Sequence, residues 1–209
     1  GDDRATGTWR LSGVTSSDSL RLPPLPVGAA FSSVYDIVLL VDQREQFQRG
    51  INQNRNDSLD EHIRSIAARG VAVEKRHMEA GDALWVARRR DRPSEEYALD
   101  FVIERKRIDD LMGSIIDGRY SQQKYFIKRS GLLHPVYLVE GSPALLGNEK
   151  QAKATKTAAA ETEIIDGFEV LRTDGAKETF DLYAALSLAL GEKYRSMRGG
   201  GGGGEAGSG

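Results

Sequence analysis

FVIERKRIDDLMGSII, residues 101–116, changes its hydrophobic period part-way along. Phe101, Val102 and Ile103 form a continuous apolar run, which suits a strand covered on both faces. Four charged residues follow, Glu104, Arg105, Lys106 and Arg107. Ile108, Leu111, Met112, Ile115 and Ile116 then recur at i, i+3, i+4, i+7 and i+8, the stripe of a helix. Strand side chains alternate, so Glu104 and Lys106 share one face and Arg105 takes the other. A solvated turn is the plain reason for such a charged junction. A strand end that delivers a carboxylate and an ammonium to one reacting centre is the chemical one.

Outward from this junction, strands and helices alternate. On the N-terminal side, residues 1–33 mix Gly, Ser, Thr and Pro and read as a linker. IVLLV (37–41) is a buried strand, 46–56 a polar loop, and Asp57 caps a helix that shows Leu59, Ile63, Ile66 and Ala67 on one face. Strands over 71–78 and 83–87 follow, then the charged turn RRRDRPSEE (88–96) and the strand 97–106. On the C-terminal side, Gly118 breaks the first helix and a second runs from 120 to 130, closed by Gly131. PVYLVE (135–140) is a strand, the Ala/Lys/Glu-rich 149–163 favours helix, GFEVLRT is a short strand, and 176–195 is a long helix. The apolar residues of that last helix occupy more than one stripe, as if part of it covers a partner chain. Residues 197–209 are a Gly-rich flexible tail. The pattern predicts one α/β domain over 34–196, a central mixed sheet flanked by helices.

Composition excludes several classes. The chain has 209 residues, 39% of them hydrophobic, enough for one sizeable core. A net charge of -2 and a pI near 6.0 give no global mark of a nucleic-acid binder, so any such face is local. Cysteine is absent, which excludes disulfides and thiolate zinc sites. His62, His77 and His134 lie too far apart for zinc-ligand spacing. No run approaches the ~20 apolar residues of a membrane span, and no signal-peptide pattern opens the chain. The first residue is not Met, so the chain reads as a fragment.

Four carboxylates sit where strands begin or end: Asp42, Glu45, Asp82 and Glu104. Carboxylates at neighbouring strand ends hold magnesium, a hard cation that prefers oxygen. A lysine on the same face orients the attacking water and offsets phosphate charge. Asp82, twenty-one intervening residues and then Glu-x-Lys have the shape of a restriction-endonuclease-like PD-(D/E)XK nuclease core.

The stretch 104–132 makes the resemblance specific. Gly81-Asp82, Glu104-Arg105-Lys106, Asp110-Leu111 and Gly118-Arg119 occur in order, with VDQRE at 41–45 upstream and VYLVE and ETEIIDGFEVLRT downstream. This set resembles the XPF/Mus family of structure-specific endonucleases over about residues 34–195. IIDGRY with Gln123 and Lys124 is similar to its catalytic Mus branch, while Arg44 leans towards an XPF-like excision-repair nuclease. The resemblance implies Mg2+, with Mn2+ able to substitute, bound by Asp42, Asp82 and Glu104. Glu45 and Asp109 would contribute, Lys106 would position the water, and Arg105 belongs to the catalytic signature. It further implies branched DNA as substrate, a noncatalytic Eme-type subunit as heterodimer partner, no membrane, and the nucleus. From Glu104 to Arg129 there are seven basic and four acidic residues, a net of +3. Arg119, Gln123, Lys124, Lys128 and Arg129 are therefore the expected DNA contacts, Arg and Lys to phosphates. RRRDR (88–92) is either a second contact or a solvated turn.

Three rivals remain. An XPF-like repair nuclease shares the site, and a non-cutting scaffold would keep the fold. A nucleotide-binding α/β domain needs a Gly-rich loop after its first strand, which is missing; the six-glycine run follows a helix. The helix-hairpin-helix modules of the family are not seen in this sequence, and 142–160 matches its pattern poorly and receives no role.

Overall fold

The computed structural model describes residues 10–11, 14–15, 20–44, 59–142, 146 and 149–199. In chain order these form β1 (Arg10–Leu11), β2 (Val14–Thr15), β3 (Arg21–Leu22), α1 (Phe31–Val34), β4 (Tyr35–Asp42), α2 (Leu59–Ala67), β5 (Ala72–Arg76), β6 (Ala83–Arg89), β7 (Glu96–Arg107), α3 (Ile108–Ile116), α4 (Arg119–Arg129), β8 (His134–Glu140), α5 (Glu149–Ile164), β9 (Glu169–Thr173) and α6 (Ala176–Arg195).

The sheet runs β5-β4-β6-β7-β8-β9, and β1 adds a short parallel pairing beside the start of β7. β4 and β6, and β6 and β7, are antiparallel; the outer pairs β4-β5, β7-β8 and β8-β9 are parallel. The parallel strands are linked by helices, as such connections require. The expected α/β fold with a central mixed sheet is thus the observed one.

Alternation splits the core in two. Leu39, Val41, Trp85, Ile103 and Leu138 pack on one face with Phe180, Tyr183, Leu190 and Tyr194 of α6. Trp85 fixes that helix by donating from Nε1 to Ser187 Oγ at 2.8 Å. Leu40, Leu84, Val102, Tyr137 and Val139 face the other way, towards Ile108 and Leu111 of α3, Tyr120 and Ile127 of α4 and Ala158 of α5. So α6 turns one apolar face to the sheet, and of its other apolar positions Leu188 stays exposed.

The described part of the expected linker is packed against the domain. Leu20 and Phe31 are core residues, Arg21 bonds Asp100, and the Tyr35 hydroxyl donates to the Pro24 carbonyl at 2.6 Å. The isolated bridges Val27–Gly199 and Ala30–Arg198 tie this segment to the residues just after α6. Proline and small residues here set an extended path across the surface. They do not loosen it. The expected cap Asp57, the expected loop 46–56 and the tail from Gly200 lie outside the described residues.

Candidate active site

Three strand ends bring their carboxylates into one row. Asp42 closes β4, Asp82 immediately precedes β6, and Glu104 lies near the end of β7. The pairing of Val41 with Ala83 sets Asp42 beside Asp82, whose carbonyl accepts the Asp42 amide at 2.9 Å. The pairing of Ala83 with Ile103 carries Asp82 to the Glu104 end of β7, where the Arg105 amide donates to Asp82 Oδ2 at 2.6 Å. By alternation all three stand on the face that carries Leu40, Leu84 and Val102.

Gly81 makes the middle position possible. Its φ is +77°, and a Cβ there would lie 2.5 Å from Val102 Cγ2 and 3.2 Å from the Ile103 carbonyl oxygen. Only glycine tolerates both the left-handed backbone and the close approach to β7. The Gly-Asp pair seen in the sequence is therefore one structural unit.

Charge in the row is unevenly met. Asp42 is buried and accepts from Arg44 Nη2 at 2.7 Å, from the Arg44 amide at 2.7 Å and from the Met78 amide at 3.2 Å. Burial alone would raise its pKa, but these donors outweigh burial and hold the carboxyl below the usual range. Glu104 is 3% exposed, and its Oε1 lies 3.9 Å from Lys106 Nζ. Glu104 and Lys106 thus share a face, as the spacing predicts.

The donor set suits a hard divalent cation in kind. Among the described residues, however, no three acidic or histidine side chains converge as a metal-holding cluster. Asp42 is turned onto Arg44 and Asp82 onto the Arg105 amide, so side-chain rotation must precede convergence. Glu45 lies outside the described residues.

Two other expected site residues stand apart from the row. Arg105 points to the opposite face, where it bonds Glu140 through Nε at 2.7 Å and also through Nη2, both side chains being buried. Thr179 Oγ1 donates to the same Glu140 at 2.7 Å, joining β7, β8 and the first turn of α6. Arg105 is thus turned from the row, as alternation predicts, and in this arrangement it anchors Glu140 inside the domain. Asp109 is exposed and bound by Arg107, whose hydrogen bond holds its pKa down.

The expected DNA contacts separate by burial. Arg119 is exposed and pairs with Asp117 at 2.7 Å, and Arg129 is exposed and donates to the Tyr125 hydroxyl at 2.8 Å. Lys128 reaches Asp166 at 3.0 Å, and Gln123 is half-buried. Lys124 is 6% exposed, bonds Asp166 at 2.5 Å and lies 3.9 Å from the Tyr120 ring centre. In this arrangement it faces inward: Tyr120, Lys124 and Ile127 sit at i, i+4 and i+7, the inward stripe of α4. The basic turn is equally occupied, with Arg88 on Glu74 and Glu96, Arg89 on Asp91, Arg90 on Asp36 and Arg92 on Glu95.

The model of the ERCC4 domain matches residues 34–186. The chain belongs to the ERCC4-domain family. Relatives of this ERCC4 domain include the "Crossover junction endonuclease MUS81" of Arabidopsis thaliana, 39% identical over 175 residues, 84% of this chain and 25% of that protein. Another is the "Structure-specific endonuclease subunit MUS81" of Danio rerio, 37% identical over 172 residues, 78% of this chain and 28% of that protein. The chain spans about a quarter of the length of the curated relatives it matches. Among solved structures, "XPF from Aeropyrum pernix" superposes with a TM-score of 0.54 at 21% identity, covering 73% of this chain and 61% of that one. The same protein in "complex with DNA" gives 0.53, covering 78% and 68%. At that identity the likeness speaks for the fold.

Sequence reading of the ERCC4 domain missed three neighbours of the site. Glu140 receives Arg105, Arg44 clamps Asp42, and Tyr137 pairs in register with Glu104. Only the last two carry a sequence signal, proximity to Asp42 for Arg44 and the parity of VYLVE for Tyr137.

Proposed function

We propose that this ERCC4 domain is the nuclease part of a magnesium-dependent, structure-specific endonuclease that cuts branched DNA in recombination and repair. Its substrates are 3′ flaps, nicked Holliday junctions and stalled forks, and it works in the nucleus as the catalytic partner of a noncatalytic Eme-type subunit. The observation that carries the reading is the row Asp42, Asp82, Glu104 with Lys106 beside Glu104 on one face. The names of the MUS81 relatives support it.

In this reading Asp42, Asp82 and Glu104 hold Mg2+, with Mn2+ as a substitute and Glu45 contributing. When bound, the ion lowers the pKa of water and offsets charge on the phosphate. Lys106 orients the attacking water from its place next to Glu104. Arg44, which bonds Asp42 here, would offer its guanidinium to phosphate once Asp42 served as a ligand. Arg119 and Arg129, exposed on α4, position the duplex, and Lys128 joins them when it releases Asp166. No element among the described residues looks like a base reader, so selectivity for branches comes from DNA shape and bending.

The test is magnesium-dependent cleavage of a labelled 3′-flap duplex against a linear duplex by the full-length protein with its partner subunit. Flap-selective cutting lost in Glu104→Gln and Lys106→Ala supports the reading. Tight flap binding with no cutting in either Mg2+ or Mn2+ would leave a DNA-binding scaffold in its place.

A further inference from the structure

β8 runs parallel to β7 with Tyr137 paired to Glu104, so the two side chains leave the sheet on the same face. Tyr137 is 1% exposed, and its ring is held edge-on by Tyr120 at 5.4 Å and by Phe168 at 6.4 Å. Its hydroxyl is buried and, among the described residues, makes no hydrogen bond. The neighbouring phenol shows the usual solution: the Tyr120 hydroxyl donates to the Ala158 carbonyl at 2.8 Å. A buried polar group without a partner is costly, and phenylalanine would fill the same space without that cost. A tyrosine at this position calls for an acceptor that the described residues do not offer in this arrangement. A phenol is a proton donor at neutral pH, and the Glu104 carboxylate on the same face is an acceptor.

We infer that Tyr137 is a positioning residue for the carboxylate row: its hydroxyl donates to Glu104, directly or through one water, when the row holds a divalent cation. The inference rests on the proposal that Glu104 is a metal ligand. Ligating carboxylates are oriented by hydrogen bonds from outside the coordination sphere, and loss of such a donor weakens the site without dismantling it. The edge-on contacts with Tyr120 and Phe168 fix the ring, so the hydroxyl has little freedom to find any other acceptor.

The experiment is Mn2+ titration of this chain followed by electron paramagnetic resonance, with urea unfolding in EDTA beside it. Wild type, Tyr137→Phe, Tyr120→Phe and Glu104→Gln are compared. Tyr137→Phe is expected to bind Mn2+ about tenfold or more weakly while its metal-free unfolding midpoint equals or exceeds that of the wild type. Tyr120→Phe is expected to bind Mn2+ like the wild type and to unfold earlier. Wild-type Mn2+ affinity in Tyr137→Phe overturns the inference, and so does a metal-free destabilisation as large as that of Tyr120→Phe. Failure of the wild type to bind Mn2+, or unchanged binding by Glu104→Gln, overturns the metal site itself and the inference with it.

Discussion

The last residues of β7 send side chains to two faces of one sheet, and the faces treat charge in opposite ways. On the Arg105 face a buried guanidinium meets a buried carboxylate two-pronged, and Thr179 and Thr173 complete the chain of hydrogen bonds. On the Glu104 face three carboxylates stand in line, with Lys106 3.9 Å from Glu104 and Arg44 folded onto Asp42. A domain built for stability alone would balance both faces. Like charge gathered in a row whose Asp42 and Glu104 are buried suits the proposed cation site, and the balanced face lies behind it.

Substitutions at neighbouring positions sharpen the contrast. The largest effect is on cleavage: Glu104→Gln is expected to lower flap cutting by more than about 100-fold, beyond what loss of an outer-sphere donor costs. A folded, fully active Glu104→Gln protein would break the comparison outright. Arg105→Ala comes next and acts on stability. It strands Glu140 in the interior and is expected to cost about 3–5 kcal/mol in urea unfolding. A cost near zero would mean that Arg105 does not anchor the domain.

Gly81→Ala tests how the two faces are joined. The positive φ and the clash with Val102 predict a loss of about 1–3 kcal/mol, with activity falling as Asp82 shifts. Smaller again is Lys124→Met, because Lys128 still reaches the partly exposed Asp166. Stability should fall by about 1 kcal/mol with DNA affinity unchanged, whereas Arg119→Ala should weaken flap binding and flatten its salt dependence by about one phosphate contact.

The smallest effect is on acid stability. Arg88, bonded to Glu74, holds that carboxyl down to about 2 from an ordinary 4.5. Because the folded value is the lower one, the stabilisation is complete above the unfolded value and is lost as pH falls from about 4.5 towards 2. Glu74→Gln should flatten that part of a circular-dichroism acid titration.

Much of this was legible from residue order. The change from strand to helical period at Ile108 predicted β7 and α3, and the long amphipathic run 176–195 is α6. Alternation alone separated Glu104 and Lys106 from Arg105. What residue order did not show is register. Nothing in the sequence says that Asp42, Asp82 and Glu104 fall in one row, because that depends on how three strands slide against each other. Nor does it say that Glu140 waits behind Arg105. The burial of Lys124 is readable from its spacing to Tyr120 and Ile127, even though it lies in a basic segment. The stretch 142–160, which carried no role by resemblance, supplies most of α5, whose Thr155, Ala158 and Ala159 are buried. Proline and serine content suggested a linker before residue 34, while Leu20 and Phe31 in that segment are core residues.

The most direct test of the division between the two faces is the urea-unfolding midpoint of Glu104→Gln in EDTA, set beside that of Arg105→Ala. If the carboxylate row is kept for chemistry, replacing one buried charge in it leaves the midpoint at or above that of the wild type. A drop as large as that of Arg105→Ala would contradict the account, because Glu104 would then be part of what holds the domain together.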